Sequence, residues 1–250
     1  MASVGSDDVT APDLAVGATS LLPSEQDDEA PLGLLDEIDT VLAELGEKDA
    51  GGVVAWAVGR YGDKLIVASS FQDAALVDLA VRADPKSEIV FLDTGFHFPE
   101  TLEYVETIRA HYDLNLTVLK PGPEAAPWPC GSTRCCETRK VMPLERLIAE
   151  RGAQAWATGL KRVDALTRAN APVMAWDSAR HLLKLNPLAA WSDEDIDAYH
   201  LEHGIPTHPL MSQGYTSIGC APTTKPVTDG AHPRAGRWAD SEKTECGLHL

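Results

Sequence analysis

The 250-residue chain has no apolar run approaching the ~20 residues that span a bilayer, and no basic-then-apolar leader at its start. A cytoplasmic protein without a membrane partner is expected. Basic residues are scarce, with 21 Lys and Arg against 38 Asp and Glu, for a net charge of −17. Residues 1–50 hold 13 of the acids and a single base, Lys48, for a net of −12, so the other 200 residues carry only −5. No basic footprint for nucleic acid is present. The phosphate-loop pattern GxxxxGK[ST] is missing, and so is the dinucleotide fingerprint GxGxxG. Cysteines are few and odd in number: Cys130, Cys135, Cys136, Cys220 and Cys246. That count argues against a disulfide framework and favours free thiols, metal ligation or redox chemistry. What remains is an ordinary globular composition, 44% apolar and 24% charged, in a chain long enough for a sizeable core.

Residues 1–29 are rich in Asp, Glu, Ser, Pro and Ala, lack aromatics, and read as a disordered acidic arm. A helical repeat of Leu34, Leu35, Ile38, Leu42 and Leu45 follows. Strands and helices then alternate. Strands are predicted at 64–70, 88–92, 114–119, 153–158 and 182–185, and helices at 73–82, 99–112 and 141–150. Ser192, before three acids, predicts a capped helix to about His203, stopped by Gly204. This alternation predicts an α/β fold, a mostly parallel sheet with helices on both faces. Residues 206–250, rich in Pro and Gly, read as loops and a tail.

Ligands of such sheets bind beyond the carboxyl ends of the strands. Two loops qualify: Ser69-Ser70-Phe71-Gln72-Asp73, whose hydroxyls and helix-start amides can hold an anion, and Asp93 to Phe98. Taken alone, the first is an ordinary helix-capping turn. Likewise a single buried cysteine is a small hydrophobe. It is the combination of Cys135-Cys136, Lys140, Cys220 and the near-terminal Cys246 with these loops that points to thiol chemistry on an anionic ligand.

In the segments VASSFQDAALVDLA, FLDTGFHF, CCETRKVMPL, TGLKRVDALTRANAPV, NPLAAW, IGCAPTTKPV, HPRAGRW and KTECGLHL, the chain resembles the assimilatory sulfonucleotide reductases, most closely the actinobacterial adenylyl-sulfate reductases. The resemblance covers roughly residues 50–250. It implies an adenine-nucleotide α-hydrolase-like, PP-loop-type fold over residues 30–233 and a mobile catalytic tail over 234–250. The SGGxDS loop of the ATP pyrophosphatases becomes SSFQDA here, and loss of its glycine pair disfavours a ligase of that type.

The implied reaction is reduction of adenylyl sulfate (APS) to sulfite and AMP. Cys246 attacks the substrate sulfur and becomes an S-sulfocysteine. A thioredoxin thiolate then attacks the Cys246 sulfur and frees sulfite. The resemblance places Ser69, Ser70, Asp93, Lys140, Arg168, Arg234, Arg237 and His249 around the substrate or the tail. A thiolate meeting an anionic substrate needs such cations. The alternatives are reduction of the 3′-phosphorylated nucleotide (PAPS) without a cluster, and an inactive nucleotide-binding or iron–sulfur regulatory relative. Retention of ECGLH disfavours the latter, because a regulator has no use for the nucleophile. A homo-oligomer is compatible with the family.

The resemblance also implies a 4Fe–4S cluster on the CC pair and a CxxC motif. Such clusters take four thiolates. Here the last position is Thr223, leaving Cys135, Cys136 and Cys220. Three readings follow: weak iron on three thiolates, Cys130 as substitute ligand, or no cluster at all.

Overall fold

The structure is a computed structural model that describes residues 29–228, 232–239, 243 and 245–248. The acidic arm up to residue 28 and His249 lie outside the described residues. Six strands form one sheet: β1 (Leu65–Ser69), β2 (Ile89–Leu92), β3 (Leu116–Leu119), β4 (Ala155–Thr158), β5 (Met174–Asp177) and β6 (Leu182–Leu185), in the order β3-β2-β1-β4-β6-β5. Every pairing is parallel except that of β5, which runs antiparallel to β6 at the edge. The helices are α1 (Leu34–Leu45), α2 (Ala50–Tyr61), α3 (Ala75–Ala83), α4 (Pro99–Tyr112), α5 (Met142–Arg151) and α6 (Asp193–His203). Among the described residues no helix is long and apolar enough to cross a membrane.

The central strands β1, β2 and β4 are buried on both faces, as their continuous apolar runs require. Successive side chains alternate between two layers. Leu65, Val67, Ile89 and Phe91 pack with α1, α2, α3, α4 and α6. Ile66, Ala68, Val90, Leu92 and Trp156 pack instead with Leu144 and Leu147 of α5, and with Trp238, Cys246 and Leu248 of the C-terminal segment. Asp78, 1% exposed, accepts hydrogen bonds from Tyr112, Tyr199 and Arg82, so one buried carboxylate ties α3 to α4 and α6. The cap expected at α6 is present and closes as a reciprocal box: Ser192 Oγ accepts from Asp195 N–H, and the Asp195 carboxylate accepts from Ser192 N–H.

Two elements go beyond the sequence expectation. Helix α2 begins Ala-Gly-Gly, and each glycine costs ~1 kcal/mol against alanine in a helix. Packing overrides that preference: Val53, Val54 and Ala57 are buried, and Asp49 caps the helix by accepting from Gly52 N–H at 2.8 Å. A Cβ at Gly52 would crowd the Asp49 carboxylate and Leu45, so here the glycine is a condition of the cap. The other is β5, an edge strand joined to β6 by a tight turn in which His181 has φ +52°. The strand at 182–185 is thus the sixth rather than the fifth.

The topology fixes where a ligand can enter. From β1 the chain proceeds to β2 and β3 on one side, while β4 flanks β1 on the other. A crevice therefore opens at the carboxyl ends of β1 and β4, the switch point of the sheet.

Candidate active site

A cavity of about 140 Å³ occupies that crevice, and Cys246 lies in its wall. Its floor is the end of β1 and the loop after it. Ser69 Oγ accepts from Phe71 N–H at 3.1 Å, closing a turn in which Phe71 is held at φ +54°. A bulky residue in that conformation is strained, and it persists because Phe71 is fully buried edge-on against Phe91. Gln72 then accepts from Ile218 N–H at 3.0 Å, stitching this loop to the segment before Cys220. Ser69 and Ser70 both line the cavity. Asp93 does not: its carboxylate accepts from Gly95 N–H and shapes the next turn.

The expected cations come together here, in two different situations. Arg168, 8% exposed, makes a forked pair with Glu245, with Nε–Oε1 at 2.8 Å and Nη2–Oε2 at 2.7 Å. It also reaches Asp164 at 3.1 Å, and Arg234 reaches the same Glu245 at 3.3 Å. Burial alone would raise the Glu245 pKa, but the Arg168 hydrogen bonds and charge, with Thr167 and Arg234, pull it down to about 2. Two of the residues expected on the substrate thus also clamp the carboxylate next to Cys246. Glu245 was not singled out from the sequence, and only its place in ECGLH hinted at it.

Arg237 is arranged otherwise. Its Nη1 donates to Ser217 Oγ and Ile218 O, and its guanidinium lies 4.5 Å from the Trp238 ring centroid. Its buried Nε finds no partner among the described residues. Burial pushes its pKa down to about 10, with Arg234 adding to the shift. A Cβ at Gly219 would collide with this guanidinium, so that glycine makes room for it. The RAGRW segment is itself held by backbone pairing, Lys225 N–H to Gly236 O and Trp238 N–H to Thr223 O, each at 2.9 Å.

Lys140 rises from a π-helical turn, Glu137–Val141, that leads into α5 and carries the residues after the CC pair. Such turns recur at functional sites. Burial opposes the Lys140 charge, but the Cys246 and Cys220 sulfurs outweigh it and its pKa is raised. The Cys246 thiol is lowered well below its ordinary value, first by a hydrogen bond from Cys136, then against burial by Lys140, the Leu248 N–H and Lys243. Lys161, 4% exposed and paired with Asp193 at 2.6 Å, also lines the cavity and was missed from the sequence. His97, another lining residue, donates Nε2–H to Leu92 O at 3.0 Å, and its Nδ1 finds no partner among the described residues.

The five cysteines divide into two sets. Cys130 interacts with Cys135 and Cys220 and lies 3.8 Å from Thr223 Oγ1. Its own pKa is raised through hydrogen bonds to Cys135 and then Cys220, while theirs are lowered, first of all by Cys130. Cys136 faces elsewhere, toward Cys246 and Lys243, whose Nζ donates to its sulfur at 3.1 Å. Among the described residues no group of three or more His, Cys, Asp or Glu side chains is placed to hold a metal ion. A four-thiolate cluster does not fit this arrangement. Cys136 is committed to the tail, and the last position of the motif holds a hydroxyl donating to Cys220 O at 3.3 Å.

The family described as the phosphoadenosine phosphosulfate reductase domain matches residues 64–226. The chain is 45% identical over 215 residues to a Streptomyces coelicolor protein named adenosine 5′-phosphosulfate reductase, covering 82% of this chain and 90% of that one. A solved phosphoadenylyl-sulfate reductase from Candida auris, in complex with phosphate, is similar at a TM-score of 0.66 and 26% identity, over 79% of this chain and 98% of that one. An FMN adenylyltransferase from Candida glabrata, 15% identical with a TM-score of 0.55 over 77% of this chain and 71% of that one, shares the fold.

Proposed function

Because the chain belongs to the phosphoadenosine phosphosulfate reductase domain family, we propose that it reduces adenylyl sulfate to sulfite and AMP. The observation that carries this reading is a cysteine thiol held toward its thiolate form in the wall of a cavity lined by Lys140 and Arg237. Only the thiolate is a competent nucleophile, and its approach to an anionic sulfonucleotide needs fixed positive charge. Cys246 attacks the sulfuryl sulfur, the bond to the nucleotide phosphate breaks, and AMP leaves. A protein dithiol of the thioredoxin class supplies the two electrons that free sulfite. The strained Ser69–Asp73 loop at the switch point holds the nucleotide, and the tail leaves its seat between catalytic cycles. The name of the Candida auris structure favours a second reading, reduction of the 3′-phosphorylated nucleotide, and turnover of the two nucleotides side by side separates them. Enzyme incubated with APS and no reductant should show transfer of the sulfuryl group to the peptide containing Cys246 by mass spectrometry. A protein that releases no AMP and carries no modification there does not perform this reaction.

Replacing Arg237 by alanine should weaken nucleotide binding. A buried guanidinium with an unpartnered Nε is an anion donor in waiting, and a hydrogen bond between charged groups is worth ~1.5–3 kcal/mol, or ~10–150-fold in Kd. The loss should deepen at low salt and shrink at high salt, because charge attraction is screened. Calorimetric titration with AMP and with APS checks both points.

Protein purified without oxygen should carry less than one cluster per chain by iron and acid-labile sulfide assay. Thr223→Cys should raise both, because it sets a fourth thiol beside Cys130, Cys135 and Cys220. A stoichiometric, stable cluster in the unaltered chain would show that Cys136 leaves its seat against the tail.

A further inference from the structure

We propose that a second cavity, behind the Arg168–Glu245 clamp, binds a compact organic anion with a carboxylate or sulfonate head and an apolar body. This site goes beyond the reductase reading and does not depend on it.

The second cavity has a volume of about 430 Å³. Arg168 lines it and the Cys246 crevice alike, whereas Glu245, Arg180 and Lys184 line the second cavity alone. Its base is the end of the sheet where β6 meets the edge strand β5. Alternation along β6 sends Leu183 and Leu185 into the layer that holds α1 and α2. Lys184 therefore turns to the opposite face, with Trp156 of β4 and Ala175 of β5 as its register partners. Ala175 brings only a methyl group there, and both it and Lys184 line the cavity.

Charge decides what the cavity takes. Arg168 is balanced by Glu245 and Asp164. Arg180, its side chain 11% exposed, pairs with Asp177 at 3.0 Å and lies 3.8 Å from Glu145. The buried Arg180 Nε finds no partner among the described residues. Lys184 is left over. Its ammonium stands 5.2 Å from the centroid of the Trp156 ring, with the Arg180 guanidinium 5.5 Å from the same centroid. Among the described residues that ammonium enters no ion pair and no hydrogen bond. Burial pushes the Lys184 pKa down against the pull of Asp177, and the Arg180 and Arg168 charges push the same way. A half-buried ammonium beside two guanidinium groups lacks a counter-ion, and an oxyanion head against Lys184 supplies one.

The rest of the ligand has a wall of its own. Ala171, Pro172, Ala175 and Trp176 line the same cavity. Inorganic sulfate would meet the ammonium and leave that wall to water. An anion with an apolar body uses both, the usual division of labour in a small-molecule site.

The test is calorimetric titration of benzoate and of benzenesulfonate into the full chain, with and without saturating AMP. Sulfate and benzyl alcohol serve as the head and the body alone. The aromatic anions should bind at one site per chain whether or not AMP is present, roughly tenfold tighter than sulfate or benzyl alcohol, and the tighter of the two identifies the head. Lys184→Met should weaken that binding by ~10–150-fold, the range of one hydrogen bond between charged groups, and Lys184→Arg should restore most of it. Ala175→Leu, which fills the cavity and leaves every charge in place, should abolish it, with thermal unfolding checking that each variant folds. In the unaltered chain, benzoate should slow acetylation of Lys184 and leave that of the exposed Lys48 unchanged, read by peptide mass spectrometry. Benzoate that does not bind, that binds only when AMP is absent, that binds no tighter than sulfate, or that leaves Lys184 unprotected overturns the inference. A chain that binds benzoate as expected but makes no sulfite from either nucleotide keeps this site and loses the reductase reading.

Discussion

Cys246→Ser should lower sulfite formation by on the order of 10⁴–10⁶-fold, the scale on which removing a covalent nucleophile acts. The hydroxyl keeps the shape of the side chain but stays protonated near neutral pH, where Lys140 and the Leu248 N–H favour the thiolate. Binding of AMP should change little, because the Ser69–Asp73 loop and Arg237 are untouched. Sulfite assay and calorimetry on one preparation check the two halves. Retained turnover would remove Cys246 from the mechanism.

Glu245→Ala should destabilise the fold by about 3–5 kcal/mol at neutral pH, the usual cost of leaving one side of a buried pair uncompensated. Glu245 is 6% exposed and faces Arg168 and Arg234, so its loss removes the carboxylate between two like charges and leaves Arg168 its pair with Asp164. Sulfite formation should fall with it, since the residue beside the nucleophile loses its anchor. AMP binding should hold or tighten as the arginines become available to phosphate. The pH dependence has a definite sign. The folded carboxyl, at about 2, lies below the ~4.3 of an unfolded glutamate, so the folded state binds fewer protons. Its contribution is complete above the unfolded value and is lost as pH falls through the folded one. Urea unfolding from neutrality into acid should show the two proteins converging.

The clamp and the nucleophile differ in how visible they are in a sequence. Cys246 belongs to a contiguous motif, and the loops after β1 and β2 follow from short continuous apolar runs, the first ending in small residues and the second followed by Asp93-Thr94-Gly95. The bounds of α4 are those expected, because Pro99 and the turn after Tyr112 are local signals. The bond from Arg168 to Glu245 joins residues 77 apart, and no periodicity announces it. The same holds for Lys161 with Asp193 and for Cys136 with Lys243. Helix α2 stayed hidden because its glycines serve a cap and close packing rather than a turn, and β5 because a four-residue edge strand is defined by its partner β6. The turn-closing bond that Asp93 accepts from Gly95 N–H is likewise not announced by a position after a strand.

Trp238, Cys246 and Leu248 complete the apolar layer on the α5 side of the sheet. The segment that bears Cys246 is therefore a piece of the core as well as the proposed carrier of the sulfuryl group. On the proposed route, presenting that thiol to a protein reductant is a partial unfolding, with apolar side chains handed from the layer to water or to the arriving surface. The rate of opening is then governed by the contacts that hold the fold. Denaturant too dilute to melt the sheet acts first on this step, and a ligand that fills the crevice guards the layer beneath it from exchange with solvent.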